Sequence, residues 1–351
     1  MRDTGHSHAG SRRRIRTDAT RGSMRRRLLI ALGSAALASP LSSIAQLAAK
    51  TARIGFFYFG TRQSALDGGR YQALVEGLRD LGYVEGKNLV IESRFADGKA
   101  ERTKALAAEL VQLKVDVFVA TGSATYRSLQ QAAPTTPIVI TVTADPVAGG
   151  YAASMARPGG NITGFSDSGA DIVAKYLELL RAAAPKLSRV GVLLNPANVT
   201  HATQLVRIIS AAQKIGIRTI MAEAATEQEI AREFTMLTRD QAGAVIVLND
   251  TYFFQQLRQI AALALKHRLP SIYSVRQYAE AGGLMSYGPN ITDNFRRAAT
   301  YVDKILKGAK AGELPFEQPM RFYLFINGKT AKSLGVAIPQ ELLLRAEKVI
   351  E

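Results

Sequence analysis

Polar groups suited to hydrogen bonding follow short apolar segments at many points along this chain. Most are hydroxyl, amide or carboxylate side chains, and one position is a glycine that offers only its backbone. The candidate ligand-binding residues are Tyr58, Thr61, Thr121, Gly122, Ser123, Asp145, Ser166, Asp167, Asn195, Asn249, Asp250 and Ser274. Such groups hold a polar small molecule through hydrogen bonds. The sequence therefore predicts that these positions together bind a polar solute.

The tripeptide Thr121-Gly122-Ser123 is the sharpest of these clusters, because it lies between a predicted strand and a predicted helix. Backbone N–H groups at a helix N-terminus, together with the two hydroxyls, are suited to holding a carboxylate. The alternative is that the tripeptide only caps the helix.

Three carboxylates, Asp145, Asp167 and Asp250, are each able to receive an ammonium group. Each also fits a turn or a helix cap, which is the common structural role of aspartate in a loop. Tyr58 is able to stack on a ligand, and simple packing is its alternative role.

Groups that catalyse reactions are scarce in this chain. After residue 50 the histidines are His201 and His267, and neither adjoins a nucleophile motif. The chain has no cysteine, which excludes disulfides, a catalytic thiol and a lipobox. A nucleophile elbow, a P-loop and a dinucleotide fingerprint are absent as well. We therefore expect a protein that is not an enzyme and carries neither a cofactor nor a metal ion.

The elements that position these polar groups follow a repeated order of strand and helix. Short apolar strands such as residues 53–58 and 115–120 alternate with amphipathic helices, and the same order begins again at residue 189. This alternation predicts an α/β fold with two Rossmann-like lobes built on parallel sheets. In such sheets ligands bind beyond the carboxyl ends of the strands, where the polar clusters lie.

Turn-rich stretches at residues 157–161 and 286–290 divide the repeats. We predict an N-terminal extension with a signal peptide at residues 1–49. The predicted lobe 1 comprises residues 50–163 and 288–321, and the predicted lobe 2 comprises residues 164–287 and 322–351.

The N-terminal segment has the pattern of an export signal. Three arginines at 25–27 precede an apolar stretch from Leu28 to Ala38, and Ser43-Ile44-Ala45 offers a cleavage site after about Ala45. The formal net charge of the whole chain is +16. Nine arginines and two aspartates lie in residues 1–27 and the other charges are mixed in sign, so we expect no nucleic-acid partner.

Several short motifs resemble the ABC-transporter substrate-binding family, which includes the tryptophan-binding TrpX-like proteins. The resemblance extends over residues 52–350, and its most specific block is Pro-Gly-Gly-Asn-Ile-Thr-Gly at residues 158–164. The other matching blocks are residues 120–124 (ATGSA), 144–147 (ADPV), 194–198 (LNPAN), 247–251 (VLNDT) and 327–331 (NGKTA).

The resemblance implies a type I periplasmic-binding-protein fold, also called a Venus flytrap, with three crossings between the lobes. It implies a periplasmic monomer that binds an amino acid or a related solute and works with an ABC permease and its ATPase. Contact with the membrane would then occur only through the transporter. Residues 60–67 depart from the His-Pro-x-Leu-Asp form common at that place in the family, so the identity of the ligand is not carried over.

Two other functions use the same fold. An exported sensory module would hand its ligand to a receptor instead of a permease. A ligand-responsive transcription regulator would need an N-terminal helix-turn-helix, and that position here holds the arginine-rich tail and the apolar segment.

Overall fold

Two sheets organise the part of the chain that the computed structural model describes, residues 51–167 and 172–351. The first sheet is entirely parallel and has the strand order β2-β1-β3-β4-β5. Its strands are β1 (Ala52–Tyr58), β2 (Leu89–Phe95), β3 (Val117–Thr121), β4 (Ile138–Thr143) and β5 (Ile162–Ser166).

The second sheet has seven strands in the order β12-β11-β10-β9-β8-β6-β7. Its neighbouring strands pair in parallel, except that β10 and β11 are antiparallel. The strands are β6 (Arg189–Leu194), β7 (Arg218–Glu223), β8 (Ala244–Val247), β9 (Ser271–Tyr273), β10 (Met285–Gly288), β11 (Tyr323–Asn327) and β12 (Lys348–Ile350).

Helices alternate with most of these strands along the described chain. Four of them are α1 (Arg62–Asp67), α2 (Arg70–Asp80), α3 (Ala100–Gln112) and α4 (Ser123–Ala132). The later helices are α5 (Ile172–Ala183), α6 (Val199–Lys214), α7 (Glu227–Arg239), α8 (Thr251–Gln255), α9 (Leu257–Lys266), α10 (Arg276–Glu280), α11 (Ile291–Leu306), α12 (Gly328–Leu334) and α13 (Gln340–Arg345). A short 3₁₀ helix spans Ala311–Glu313.

Local sequence signals account for where several of these helices begin. Thr226 and Glu229 form a capping box at the start of α7, in which each side chain accepts a hydrogen bond from the other residue's backbone N–H. Asn198 and Asp250 cap α6 and α8 in the same general way, through side-chain oxygens that accept from backbone N–H groups. The two caps fix polar side chains directly after strands β6 and β8.

The chain passes between the two sheets more than once. It leaves the first sheet after β5, builds the second sheet as far as β10, and returns as α11, which packs on α2 and β4. Residue Glu317 then runs beside β5, since its N–H donates to Gly164 and its carbonyl accepts from Ser166. The chain finally enters β11 of the second sheet.

The predicted class, α/β with two Rossmann-like lobes on parallel sheets, is confirmed. Strands β5 and β10 were not predicted, because their sequences ITGFS and MSYG lack a continuous apolar run. They lie in or beside the two stretches that we predicted as breaks. The division into lobes at residues 50–163 with 288–321 and 164–287 with 322–351 remains a proposal, and β5 spans the first of its boundaries.

The predicted signal peptide and its cleavage site lie outside the described residues. Among residues 51–167 and 172–351, the structure contains no helix with the length and apolar character that a bilayer crossing requires.

Strand β5 depends on a glycine at its centre. Gly164 has a φ of +143°, and a Cβ placed there would lie 2.0 Å from the carbonyl oxygen of Ile140 on β4. A side chain is therefore excluded both by the backbone conformation and by the close approach of the two strands.

We expect Gly164→Ala to lower the free energy of unfolding by about 2 kcal/mol or more, because it combines backbone strain with a backbone clash. Gly160→Ala is the matched control, since a Cβ at Gly160 meets no atom within 4 Å. Urea unfolding monitored by circular dichroism measures both variants. Equal stability of the two variants would contradict the packing at Gly164.

Candidate functional site

A cavity of about 30 Å³ lies where the carboxyl ends of strands from both sheets face each other. Polar side chains and the backbone around them form most of its wall. The lining residues are Arg70, Gly122, Ser123, Tyr126, Val142, Thr143, Ala144, Asp167, Asn198, Thr200, Asn249, Asp250 and Thr251. The first eight belong to the part of the chain that builds the first sheet, and the last five follow strands β6 and β8 of the second.

One wall of the cavity is formed at the start of α4. Gly122 precedes this helix with a φ of +105°, and a Cβ there would lie 2.5 Å from Cβ of Phe59. Glycine is therefore needed for the backbone to turn from β3 into α4 at this point. Ser123 is the first residue of α4. Among the described residues, the N–H groups of Ser123 and Ala124 have no backbone acceptor, whereas the N–H of Thr125 donates to the carbonyl of Gly122. This end of the helix favours negative charge.

The nearby hydroxyls of Tyr126 and Thr121 make hydrogen bonds within the protein. Tyr126 is buried and its hydroxyl donates to the carbonyl of Val142 at 2.6 Å. Burial raises the pKa of Tyr126, so its phenol stays neutral. The buried Thr121, by contrast, directs its hydroxyl to Thr141 Oγ1 at 2.5 Å rather than into the cavity.

Arg70 lies in the same wall and was not among the predicted site residues. Only 4% of its surface is exposed. Its Nη1 donates to Tyr58 Oη at 2.7 Å, and its Cζ lies 3.7 Å from the ring centre of Phe254 on α8. A sequence signal for it existed, because Arg70 is the first residue of α2 and a cation at a helix N-terminus opposes the helix dipole.

The opposite wall is centred on Asp250. Its Oδ1 accepts hydrogen bonds from Asn195 Nδ2 at 3.2 Å and from the N–H groups of Tyr252 and Phe253 at 2.9 and 3.3 Å. Its Oδ2 accepts from Asn198 Nδ2 at 3.0 Å. The carboxylate thus caps α8 and joins the loops after β6 and β8, and Oδ2 retains more capacity to accept than Oδ1 does.

His201 stabilises this wall from the protein interior. It is fully buried, its Nδ1 accepts from the N–H of Asn195 at 2.9 Å, and its Nε2 lies 3.2 Å from the carbonyl of Asn249. These partners require a neutral ring with the proton on Nε2. Burial lowers the pKa of His201, and the nearby Asp250 carboxylate opposes that shift.

The two walls are in direct contact in this structure. Asn249 Nδ2 donates to Asp167 Oδ2, and Arg207 on α6 forms an ion pair with Asp145 at 2.8 Å. Phe254 lies over Arg70. These contacts bring the two sides together across the cavity and account for its small volume.

The structure places five of the predicted site residues in the cavity wall, namely Gly122, Ser123, Asp167, Asn249 and Asp250. The other seven do not line it. Tyr58 supports Arg70, Thr61 caps α1, Thr121 bonds to Thr141, and Ser166 donates to the carbonyl of Ala144. Asn195 supports Asp250, and Asp145 accepts from the N–H groups of Val147 and Ala148 besides pairing with Arg207.

Ser274 is buried after β9, and its Oγ has no hydrogen-bond partner among the residues that the structure describes. The lining residues that the prediction did not include are Arg70, Tyr126, Val142, Thr143, Ala144, Asn198, Thr200 and Thr251. Two of them, Ala144 and Thr251, adjoin a predicted residue in sequence. Arg70 and Tyr126 do not follow a strand, so the rule of strand ends could not find them.

The buried His201 predicts an acid-sensitive structure. Because its folded-state pKa is depressed, the unfolded chain binds the proton more readily than the folded chain does. The stability contribution is complete above the unfolded value of about 6.5 and is lost as the pH falls from there through the lower folded-state pKa.

We therefore expect His201→Gln to reduce the loss of unfolding free energy between pH 7 and pH 5, because glutamine stays neutral. Urea unfolding across this range measures the effect. His267→Gln is the control, since His267 also has a pKa lowered by burial but lies at the end of α9, away from the cavity and less buried. An unchanged pH profile in His201→Gln would contradict the assigned role of this ring.

Comparisons with known proteins agree with this architecture. A curated tyrosine-binding protein of Clostridioides difficile (strain R20291) is 25% identical over 265 residues, which are 76% of each chain. A solved conserved domain protein of Vibrio cholerae O1 biovar El Tor is 28% identical, with a TM-score of 0.80 over 86% of this chain and 100% of that one.

A solved ABC domain of Streptococcus pneumoniae in complex with L-Trp is 25% identical and has the same TM-score and coverage. The two-sheet fold is that of type I periplasmic binding proteins. The family model described as ABC transporter substrate binding protein matches residues 64–350. This match covers most of the chain, and the protein therefore belongs to the ABC transporter substrate-binding protein family.

Proposed function

We propose that this protein is the extracytoplasmic solute-binding component of an ABC importer and that it captures an amino acid, or a related small polar organic solute, by closure of two lobes. The observation that carries the proposal is the polar cavity whose walls come from the carboxyl ends of two separate sheets. A solute between them contacts both walls at once, which is the condition for ligand-driven closure.

The chemistry of the walls favours a molecule with two unlike ends. The start of α4, with Ser123 and its first-turn N–H groups, favours an anionic group. On the opposite wall, Oδ2 of Asp250 retains capacity to accept a hydrogen bond from an ammonium group. An α-amino acid carries both groups, and the two relatives with named ligands bind tyrosine and L-Trp.

Closure requires hinges, which we place near residues 163–165, 287–288 and 322–325. Support comes from the path of the chain, since β5, β10 and β11 are the strands next to the passages from one sheet to the other. In the closed arrangement, the ion pair of Arg207 with Asp145 and the bond of Asn249 to Asp167 link the two sides. Both contacts need the two sides together, so opening would release them.

The cellular setting follows from the predicted segment at residues 24–45. We propose that it exports the chain to the periplasm, where the mature protein acts as a monomer and delivers its solute to a permease and an ATPase. Ligand capture without chemical conversion fits the site, because Asp250 and His201 are both engaged in supporting the wall.

Binding and compaction are measurable together. We expect at least one L-amino acid to raise the free energy of unfolding by about 2.7 kcal/mol at 100 times its dissociation constant. Small-angle scattering of the mature protein should show a smaller radius of gyration with that amino acid than without it. A tight binder that leaves the radius unchanged would contradict closure, and a panel without any binder would contradict the ligand class.

The wall at α4 gives a second test. We expect Ser123→Asp to weaken binding of that amino acid at least tenfold, because the new carboxylate competes for the N–H groups at the start of the helix. Gln131→Asp adds the same charge to an exposed position near the other end of α4 and should leave binding unchanged. Calorimetric titration compares the two, and equal affinities would argue against this wall as the anion site.

A further inference from the structure

Arg70 is a buried cation without a carboxylate partner among the described residues. Its side chain donates one hydrogen bond within the described residues, from Nη1 to Tyr58 Oη, and no described acidic side chain comes within ion-pairing distance of it. Aromatic rings surround it, with Cζ at 3.7 Å from the ring centre of Phe254 and 5.9 Å from those of Tyr58 and Phe295. Buried charges in folded proteins are normally paired, because removing them from water is costly.

The position of Arg70 in the chain adds a second unfavourable term. It is the first residue of α2, the first turn of that helix has no acidic residue, and its N-cap Gly69 offers no side-chain cap. The positive end of the helix dipole therefore acts on a positive side chain that has no counter-ion among the described residues. An arginine kept where burial without a described counter-ion and helix electrostatics both disfavour it points to a role outside folding.

The same cavity holds a second feature that selects negative charge. Arg70 and Ser123, at the start of α4, both line it. The carboxylate of Asp250 across the cavity is already held by two asparagine side chains and two backbone N–H groups, so it does not serve as the counter-ion of Arg70.

We infer that Arg70 is the specificity-determining anchor for a carboxylate of the solute, so that the protein accepts small carboxylic acids and rejects their amides and decarboxylated amines. The guanidinium presents its N–H donors in one plane, which suits a carboxylate, and it accepts an aromatic ring over its face. The amino acid class named above is one case of this requirement, and to that extent the inference rests on the proposed function.

Phe254 gives the anchor a link to closure. It belongs to α8, which follows strand β8 of the second sheet. Arg70 belongs to α2, which lies between strands β1 and β2 of the first sheet in the chain. The ring is therefore over the guanidinium only when the two sides meet. A carboxylate bound in the plane of the guanidinium leaves this face contact in place, so one side chain senses both the solute and the closed arrangement.

The test uses the mature protein and a fixed panel: the twenty L-amino acids, acetate and propionate, with the L-amino acid amides, acetamide and propionamide as neutral counterparts. Thermal unfolding detects binding, and calorimetric titration measures affinity. We expect the wild type to bind at least one carboxylate and to bind its neutral counterpart at least about thirtyfold more weakly.

Arg70→Gln should bind that carboxylate at least about thirtyfold more weakly than the wild type does. Without solute it should unfold at the same temperature as the wild type or higher, because an uncompensated buried cation is removed. A purely structural arginine would instead lower that temperature. Arg94→Gln is the control for loss of one arginine, since Arg94 pairs with Glu109 on α3 at 2.8 Å and lies outside the cavity. It should bind as the wild type does.

Phe254→Leu should lower the affinity for the same carboxylate by about threefold to tenfold and keep the preference for the acid over the amide. The inference is overturned if no carboxylate in the panel binds, if amides bind as well as acids, or if Arg70→Gln binds like the wild type. Compaction by an uncharged solute would keep the proposed closure and reject the anchor. Carboxylate binding that depends on Arg70 without compaction would keep the anchor and reject closure.

Discussion

Parallel strand pairing is the constraint on which the rest of this structure depends. In the first sheet all strands run in one direction, so the residues that follow β3, β4 and β5 emerge at a common edge. The same holds for β6, β8 and β9 in the second sheet. When the two edges face each other, short polar loops that are distant in sequence become the walls of one cavity.

The walls themselves differ in how they are held. On the side of the second sheet, Asp250 and His201 connect the loops after β6 and β8 by hydrogen bonds to both loops, which makes this wall a preformed surface. On the side of the first sheet, the start of α4 and the guanidinium of Arg70 present donors that the described residues do not satisfy with a carboxylate. One wall thus makes most of its hydrogen bonds within the protein, and the other is chemically complementary to an anion.

The most informative residues of the site are those that break ordinary folding preferences. Gly122 adopts a φ of +105°. Arg70 places a buried positive charge at the N-terminus of a helix, where the helix dipole is also positive. Neither choice favours the regular backbone or the helix in which it occurs. Local conflicts of this kind are expected at functional positions, where the energetic cost is offset by the remainder of the fold.

The sequence by itself determined the α/β class, the repeated order of strand and helix, and the polar clusters at the strand ends, because apolar periodicity and turn residues are local signals. It did not show β5 or β10, whose short, mixed sequences become strands only by pairing with β4 and β9. Nor did it distinguish Asp250 and Ser123, which line the cavity, from Thr121 and Ser274, which do not.

The expectation that ligands bind beyond strand ends could not identify Arg70. Its place in the site arises from the packing of α2 against α11 and from contact with Phe254, 184 positions later in the chain. Side-chain roles of this kind depend on which groups meet across long sequence separations, and only the tertiary structure decides that.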